Sequence, residues 1–249
     1  MTGFEDHFSE QAREYARYRP QYPSELFVYL ASISPSRQLA WDCGTGNGQA
    51  AQELAKHFNR VIATDASAEQ IAQAVPHERI DYRVGRAEEV SIEAGSVDFV
   101  SVAMAVHWFD LEPFYQVVQR VCRLDGILAV WMYHLPVIDP SIDQILEHYY
   151  ADVLAGFWPE RFHFLAERYR TLPFPFEELN PPEFEMQADW ELGHLIGFLD
   201  SWSATRRYQA ERGQNPINII WPEISGLWGE PGQPRTIRWP LYLRVGRVR

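Results

Sequence analysis

The sequence predicts an α/β protein: a doubly wound, seven-stranded sheet with its last strand antiparallel and a helical cap inserted ahead of that strand. Three observations predict it. Between residues 38 and 134, short apolar runs alternate with helical patterns at the spacing of repeated strand–helix units, which is how a buried parallel sheet is written. The first run ends in glycines at alternate positions, as a tight strand-to-helix turn beside a ligand requires. After residue 134 the rhythm breaks, because Pro136, Pro140, Pro159, Pro173, Pro175, Pro181 and Pro182 interrupt aromatic-rich helical stretches. A chain of 249 residues suits one such domain with a cap.

Residues 1–37 form an N-terminal arm. Pro20 and Pro23 fix an extended segment, and Pro23-Ser24 opens a helix through Leu30. The central stretch follows, Gln38-Leu-Ala-Trp-Asp-Cys-Gly-Thr-Gly-Asn-Gly-Gln49, and the helical pattern Ala50, Ala51, Leu54, Ala55, Phe58 begins at once. A dinucleotide fingerprint G-x-G-x-x-G would need its third glycine at Gln49, so a pyrophosphate turn fits poorly. Asp42, at the strand end before Gly44, Thr45 and Gly46, fits a cationic amino group instead, which S-adenosylmethionine has and NAD lacks at that place.

The next elements repeat the pattern. Val61 to Thr64 is the second strand, and Asp65 at its end is placed to accept the ribose hydroxyls or to cap the helix from Ala68 to Val75. Ala66 is counted as a contact with it. Ile80 to Val84 is the third strand, followed by the loop Gly85 to Val90. Phe99 to Ala103 is the fourth, and it continues into Met104-Ala-Val-His-Trp-Phe-Asp110. Ligands of open α/β sheets bind outside the carboxyl ends of the strands, so Ala103 is a cofactor contact and His107 and Trp108 face the reacting group. His107 has three readings, as general base, as substrate orienter and as core residue, and Trp108 suits a cation–π contact. Leu111 to Arg123 is a helix, and Ile127 to Tyr133 the fifth strand.

Beyond His134 the reading is coarser. Helices are expected over 141–155, 160–170, 191–201, 204–212 and 216–228, with a sixth strand at 183–189 and the last at 236–247. Residues 135–182 and 190–230 would make the cap. The junction Trp202-Ser-Ala-Thr-Arg-Arg-Tyr208 brings Trp202 and the guanidinium pair Arg206 and Arg207 forward as acceptor contacts, since such forks pair with carboxylates.

The acid followed by Gly44-x-Gly46-x-Gly48 resembles the first motif of the class I S-adenosylmethionine-dependent methyltransferases, whose sheet is Rossmann-like. Phe8-Ser9, Tyr15, Tyr18-Arg19-Pro20-x-Tyr22-Pro23, the run His107 to Asp110, Leu128 to Tyr133, and Trp202-Ser203-Ala204 with Tyr208 are similar to a methyltransferase type 11 subgroup, the trans-aconitate methyltransferase-like proteins. The core resemblance covers residues 4–134. It implies that Tyr18 and Arg19 close over the cofactor, with Arg19 facing its carboxylate, and that Ala87 and Glu88 border the adenine. The stretch between the fifth and last strands is shorter than in the fungal pattern, which leaves the particular acceptor open. Position 107 also lacks the polar-Pro-Pro-aromatic motif common where nucleobase amines are methylated.

Charge narrows the partners. A formal net charge of −12 opposes binding to phosphate backbones, so a small acceptor is expected and nucleic acid is not. No apolar run reaches about 18 residues and no leader is evident, so a cytoplasmic protein is expected, off the membrane. The two cysteines and eight scattered histidines make no metal pattern. The function expected is methyl transfer to a small molecule, by O-methylation of a carboxylic acid. Methylation of a phenolic or quinone-like metabolite and non-catalytic cofactor binding are the alternatives, and the oligomeric state stays open.

Overall fold

Among the described residues eight strands appear, in chain order β1 Leu39–Cys43, β2 Arg60–Asp65, β3 Ile80–Val84, β4 Val97–Ala103, β5 Cys122–Tyr133, β6 Glu177–Leu179, β7 Phe184–Trp190 and β8 Arg235–Val248. The structure, a computed structural model, describes residues 19–249. Tyr18 lies outside the described residues. The described residues divide into two units: one holds Tyr22–Tyr133, His163–Phe184 and Leu241–Arg249, the other residues 19–21, His134–Phe162 and Glu185–Pro240.

In the first unit the sheet order is β3-β2-β1-β4-β5-β8-β6. Pairs among β1 to β5 are parallel, whereas β8 runs antiparallel to both β5 and β6. This is the expected doubly wound sheet, with the strand order reversing between β1 and β4. Such a reversal opens a crevice at the carboxyl ends of those two strands. The central strands β1 and β4 are buried along almost their whole length: Phe99 on β4 stacks on Phe58, in the turn past the helix Gln49–Leu54, with ring centroids 5.6 Å apart, and Trp41 on β1 meets Phe114 at 6.1 Å. The buried carboxylate of Asp98 ties the entry of β4 to that of β1. It accepts from Ser36 Oγ at 2.8 Å and from the N–H groups of Gln38 and Leu39 at 2.8 and 2.9 Å, and it pairs with Arg123 at 2.8 Å.

Three sequence expectations change here. The helix Leu111–Val121 passes straight into β5 at Cys122, five residues early, with Asp125 at φ 63. The register of β5 against β4 shifts between Val97 and Phe99, which absorbs Leu124-Asp125-Gly126 as an irregularity in the pairing. Residues 163–182, expected in the cap, pack in the sheet unit. Gly246 leaves the room they need, since a Cβ there would lie 2.7 Å from both Phe174 and Phe176. The sheet's edge is then β6, while the expected strand at 183–189 is β7, which pairs β8 off that path.

Both cysteines are buried and free. Burial pushes the Cys122 thiol up to about 12 and that of Cys43 well above its ordinary value.

The second unit is helical and aromatic. Pro140–His148 begins with Asp139 accepting from the N–H groups of Ser141 and Ile142, and a π-turn, Tyr149–Val153, extends it. Leu192–Asp200, Ser203–Arg212 and Ile217–Trp228 follow. Trp190 on β7 meets Trp239 on β8 at 4.6 Å and Phe198 at 5.5 Å. No helix among the described residues is long and apolar enough to cross a membrane.

Candidate active site

The glycine turn is built from three left-handed residues, Gly44, Gly46 and Gly48, at φ 69, 57 and 92. Only glycine holds that conformation without cost. The N–H groups of Gly44 and Thr45 both donate to the Thr64 carbonyl, at 2.8 and 3.0 Å, which folds the turn against the end of β2. On one side a Cβ at Gly44 would lie 2.5 Å from that of Ala105; on the other, one at Gly48 would overlap the Tyr82 hydroxyl. Gly46 is the open point, with nothing nearer than Gln70 Oε1 at 3.6 Å.

Asp42 lies beneath the turn, fully buried. Thr45 Oγ1 donates to one of its oxygens at 2.5 Å and Ser101 Oγ to the other at 2.6 Å. Burial raises its pKa to about 6 in spite of those two bonds. A buried carboxylate under strain of this sign attracts a cation and repels a pyrophosphate, so the donor set fits the ammonium and sulfonium of S-adenosylmethionine.

Asp65, at the end of β2, braces the turn from outside. Its Oδ2 accepts from Gly46 N at 2.9 Å and its Oδ1 from Ser67 N at 2.8 Å, and each oxygen keeps acceptor capacity. The helix Ala68–Ala72 is capped by Ser67 instead, whose Oγ accepts from Gln70 N. Ala66 is exposed beside it, and Ala87 is buried after β3. Glu88 links that loop to the one after β4, accepting from Asp110 N at 2.9 Å.

Beyond half-buried Ala103 the chain turns sharply. Met104 has φ 56, a conformation costly for a residue with a Cβ, and its Sδ accepts from Tyr133 N at 3.2 Å. A 3-10 turn, Val106–Trp108, then buries His107 to 3 % exposure and leaves Trp108 half exposed. Burial lowers the His107 pKa to about 4. Its Nδ1 is 2.8 Å from the hydroxyl of Tyr169, a residue 62 positions later.

The sheet unit thus brings Asp42, Gly44, Thr45, Gly46, Asp65, Ala66, Ala87, Glu88, Ala103, His107 and Trp108 to the carboxyl ends of β1 to β4. Of the other expected residues, Arg19, Trp202, Arg206 and Arg207 belong to the second unit. There Arg19 lies over the Phe198 ring at 5.4 Å, and Trp202 is buried among Tyr149, Trp158 and Phe198 at 5.9, 5.7 and 5.6 Å. Arg206 is half-buried and Arg207 exposed on Ser203–Arg212.

Sequence reading missed Ser101, Tyr82, Met104 and Tyr169. A lone hydroxyl inside the apolar run Phe99-Val-Ser-Val102 was a signal for the first; the others had none. Among the described residues no group of His, Cys, Asp and Glu would hold a metal ion.

Residues 41–130 match a family described as a methyltransferase domain. A protein of Dictyostelium discoideum assigned as a methyltransferase is 34 % identical over 206 residues, 81 % of this chain and 78 % of that one. A Saccharomyces cerevisiae protein assigned as an S-adenosylmethionine-dependent methyltransferase is 31 % identical over 51 % of this chain and 46 % of its own. Among solved structures, a protein of Anaeromyxobacter dehalogenans assigned as a type II methyltransferase superposes with a TM-score of 0.87 at 40 % identity, covering 92 % of this chain and 98 % of that one. The YcgJ protein of Bacillus subtilis, at 17 % identity and a TM-score of 0.52, shares the fold.

Proposed function

The chain belongs to the class I S-adenosylmethionine-dependent methyltransferases, and from that premise we propose that it methylates a carboxylate oxygen of a small acid. S-adenosylmethionine, when bound, supplies a methyl group already activated by positive sulfur, so a carboxylate takes it without giving up a proton. The protein's task is then to bind, align and exclude water.

In this reading Gly44, Thr45 and Gly46 cradle the methionyl part, and Asp42 supplies negative charge beneath it, relayed by the Thr45 hydroxyl. Asp65 takes the ribose hydroxyls. Ala66, Ala87 and Glu88 border the adenine, Ala103 lines the methionyl end, and Tyr18 and Arg19 are the further cofactor contacts that the family resemblance implies. His107 and Trp108 face the acceptor from the sheet unit. Trp202, Arg206 and Arg207 are the acceptor contacts proposed on the segment from Trp202 to Arg212.

One observation supports the acid in particular: Arg206 is half-buried, yet its guanidinium has no ion pair or hydrogen bond among the described residues. A partly desolvated guanidinium with no counter-charge suits an anionic ligand. A phenolic acceptor is the second reading, favoured by the rings of Tyr149, Tyr150, Trp158 and Trp202.

Labelled methyl transfer to a panel of small di- and tricarboxylic acids tests the choice, with the product scored for lability in mild base. Arg206→Ala and Arg207→Ala should each lower kcat/KM for the acid by about tenfold or more, the worth of one charge-assisted hydrogen bond, with cofactor affinity unchanged. Full activity in the double variant would remove the arginines from the site. Transfer to phenols alone would favour the second reading.

A further inference from the structure

The pair formed by His107 and Tyr169 carries information about the direction of a proton. Tyr169 is fully buried, and among the described residues its hydroxyl has one hydrogen-bond partner, Nδ1 of His107 at 2.8 Å. Two arrangements are open to such a pair. If Nδ1 bore the proton, the phenol oxygen would accept it, and the phenol's own hydrogen would be buried without an acceptor. A buried donor left without an acceptor bears its full desolvation cost. If the phenol donates to Nδ1, both groups are satisfied. The imidazole proton then sits on Nε2.

We infer that Tyr169 is a positioning residue that holds His107 as its Nε2–H tautomer, so that His107 meets the methyl acceptor as a hydrogen-bond donor and not as a general base. A donor suits an anionic carboxylate oxygen. It does nothing to remove a phenol's proton. The burial that lowers the His107 pKa to about 4 acts in the same sense, since a neutral ring at physiological pH has little affinity for a second proton. Burial likewise raises the Tyr169 phenol well above its ordinary value, so the donor keeps its hydrogen.

The surrounding backbone is built to place that hydroxyl. Arg168 and Tyr169 are both left-handed, at φ 53 and 58, a conformation that is costly for residues with a Cβ. Arg244 on β8 offsets this. Its Nη1 donates to the carbonyls of Tyr169 and Leu172, while its Nε and Nη2 hold Glu178 on β6. Tyr115 adds a bond from its hydroxyl to the Pro173 carbonyl at 2.6 Å. A loop folded twice into the left-handed region and clamped by a guanidinium is a firm support for one hydroxyl.

The donor role toward a carboxylate rests on the acceptor reading above, but the tautomer does not. A long-range 1H–15N spectrum of the labelled, cofactor-free full chain at neutral pH reads it directly, with His107 assigned by the signal lost in His107→Ala. The expected pattern is an unprotonated Nδ1 and a protonated Nε2. A proton on Nδ1 would overturn the inference. Tyr169→Phe keeps the ring, and it should shift the His107 signals toward a tautomer mixture and lower kcat for the acid about tenfold, with cofactor affinity unchanged. His107→Gln separates donor from base, because its amide donates near the Nε2 position and has no basicity. It should stay within about tenfold of the parent, whereas His107→Ala falls further. Equal loss in the two variants would overturn the donor role. Should no acid be methylated while the Nε2–H pattern stands, the acceptor reading fails and the tautomer assignment is supported.

Discussion

Asp42 is an acid held where water does not reach it, and its titration should be visible in cofactor binding. Its folded pKa of about 6 stands above the ordinary 3.8, so the protonated form is the one the cofactor-free fold favours. That contribution to stability is full below the unfolded value and is lost as pH rises through about 6. Above this range the carboxylate is charged and under-solvated, which a bound cation relieves. Below it, a proton competes with the cofactor. Calorimetric titration should therefore give a dissociation constant for S-adenosylmethionine that is level above neutrality and rises by up to about tenfold per pH unit below 6; Asp42→Asn should bind more weakly, without that slope. An unchanged slope in the variant would assign the titration to another group. The acid, the glycines and Asp65 were readable in the sequence because their chemistry is local: a charge at a strand end, a missing Cβ at a turn. Ser101, Tyr82 and Tyr169 were not, because each acts on a residue far away in the chain.

Asp98 does for the sheet what Asp42 does for the site. Its carboxylate is the buried acceptor for Ser36, Gln38 and Leu39 and the ion-pair partner of Arg123. Asp98→Ala leaves two backbone donors without their carboxylate and Arg123 without its partner. Urea denaturation should show a loss of about 3–5 kcal/mol, and Asp98→Asn a smaller one, because the amide oxygen still accepts. A loss under about 1 kcal/mol would mean that water replaces the carboxylate. The central strands β1 and β4 were legible since a strand covered on both faces must be apolar along most of its length. Past His134 the signals weaken for physical reasons. β6 is three residues long and carries two glutamates, too short for alternation to register. The helix expected at 160–170 is instead a 3-10 turn, Glu160–Phe162, and four residues of α-helix, with the rest of the segment organised by the Arg244 clamp.

For the molecule as a whole, the sequence carried the architecture further than the partners. The strand–helix rhythm spoke for the doubly wound sheet that the structure contains, while a net charge of −12 leads to the expectation of a small acceptor. Which later segment packs with which unit was beyond it, because the space at Gly246 that admits Phe174 and Phe176 is visible only once the strands are in register. The two cysteines, one at the end of β1 and one at the start of β5, are sealed in and hold their protons. A thiol reagent attacks thiolate that it can reach, so each sulfur reacts only when its own strand end comes open. The chain thus carries two built-in reporters of breathing, one beside the glycine turn and one away from it. At neutral pH a chromogenic disulfide should find both in denaturant and neither quickly in the native chain, and added S-adenosylmethionine should slow Cys43 more than Cys122. Equal slowing of both would mean that the cofactor damps the opening of the sheet unit generally, and that the turn it occupies has no separate motion of its own.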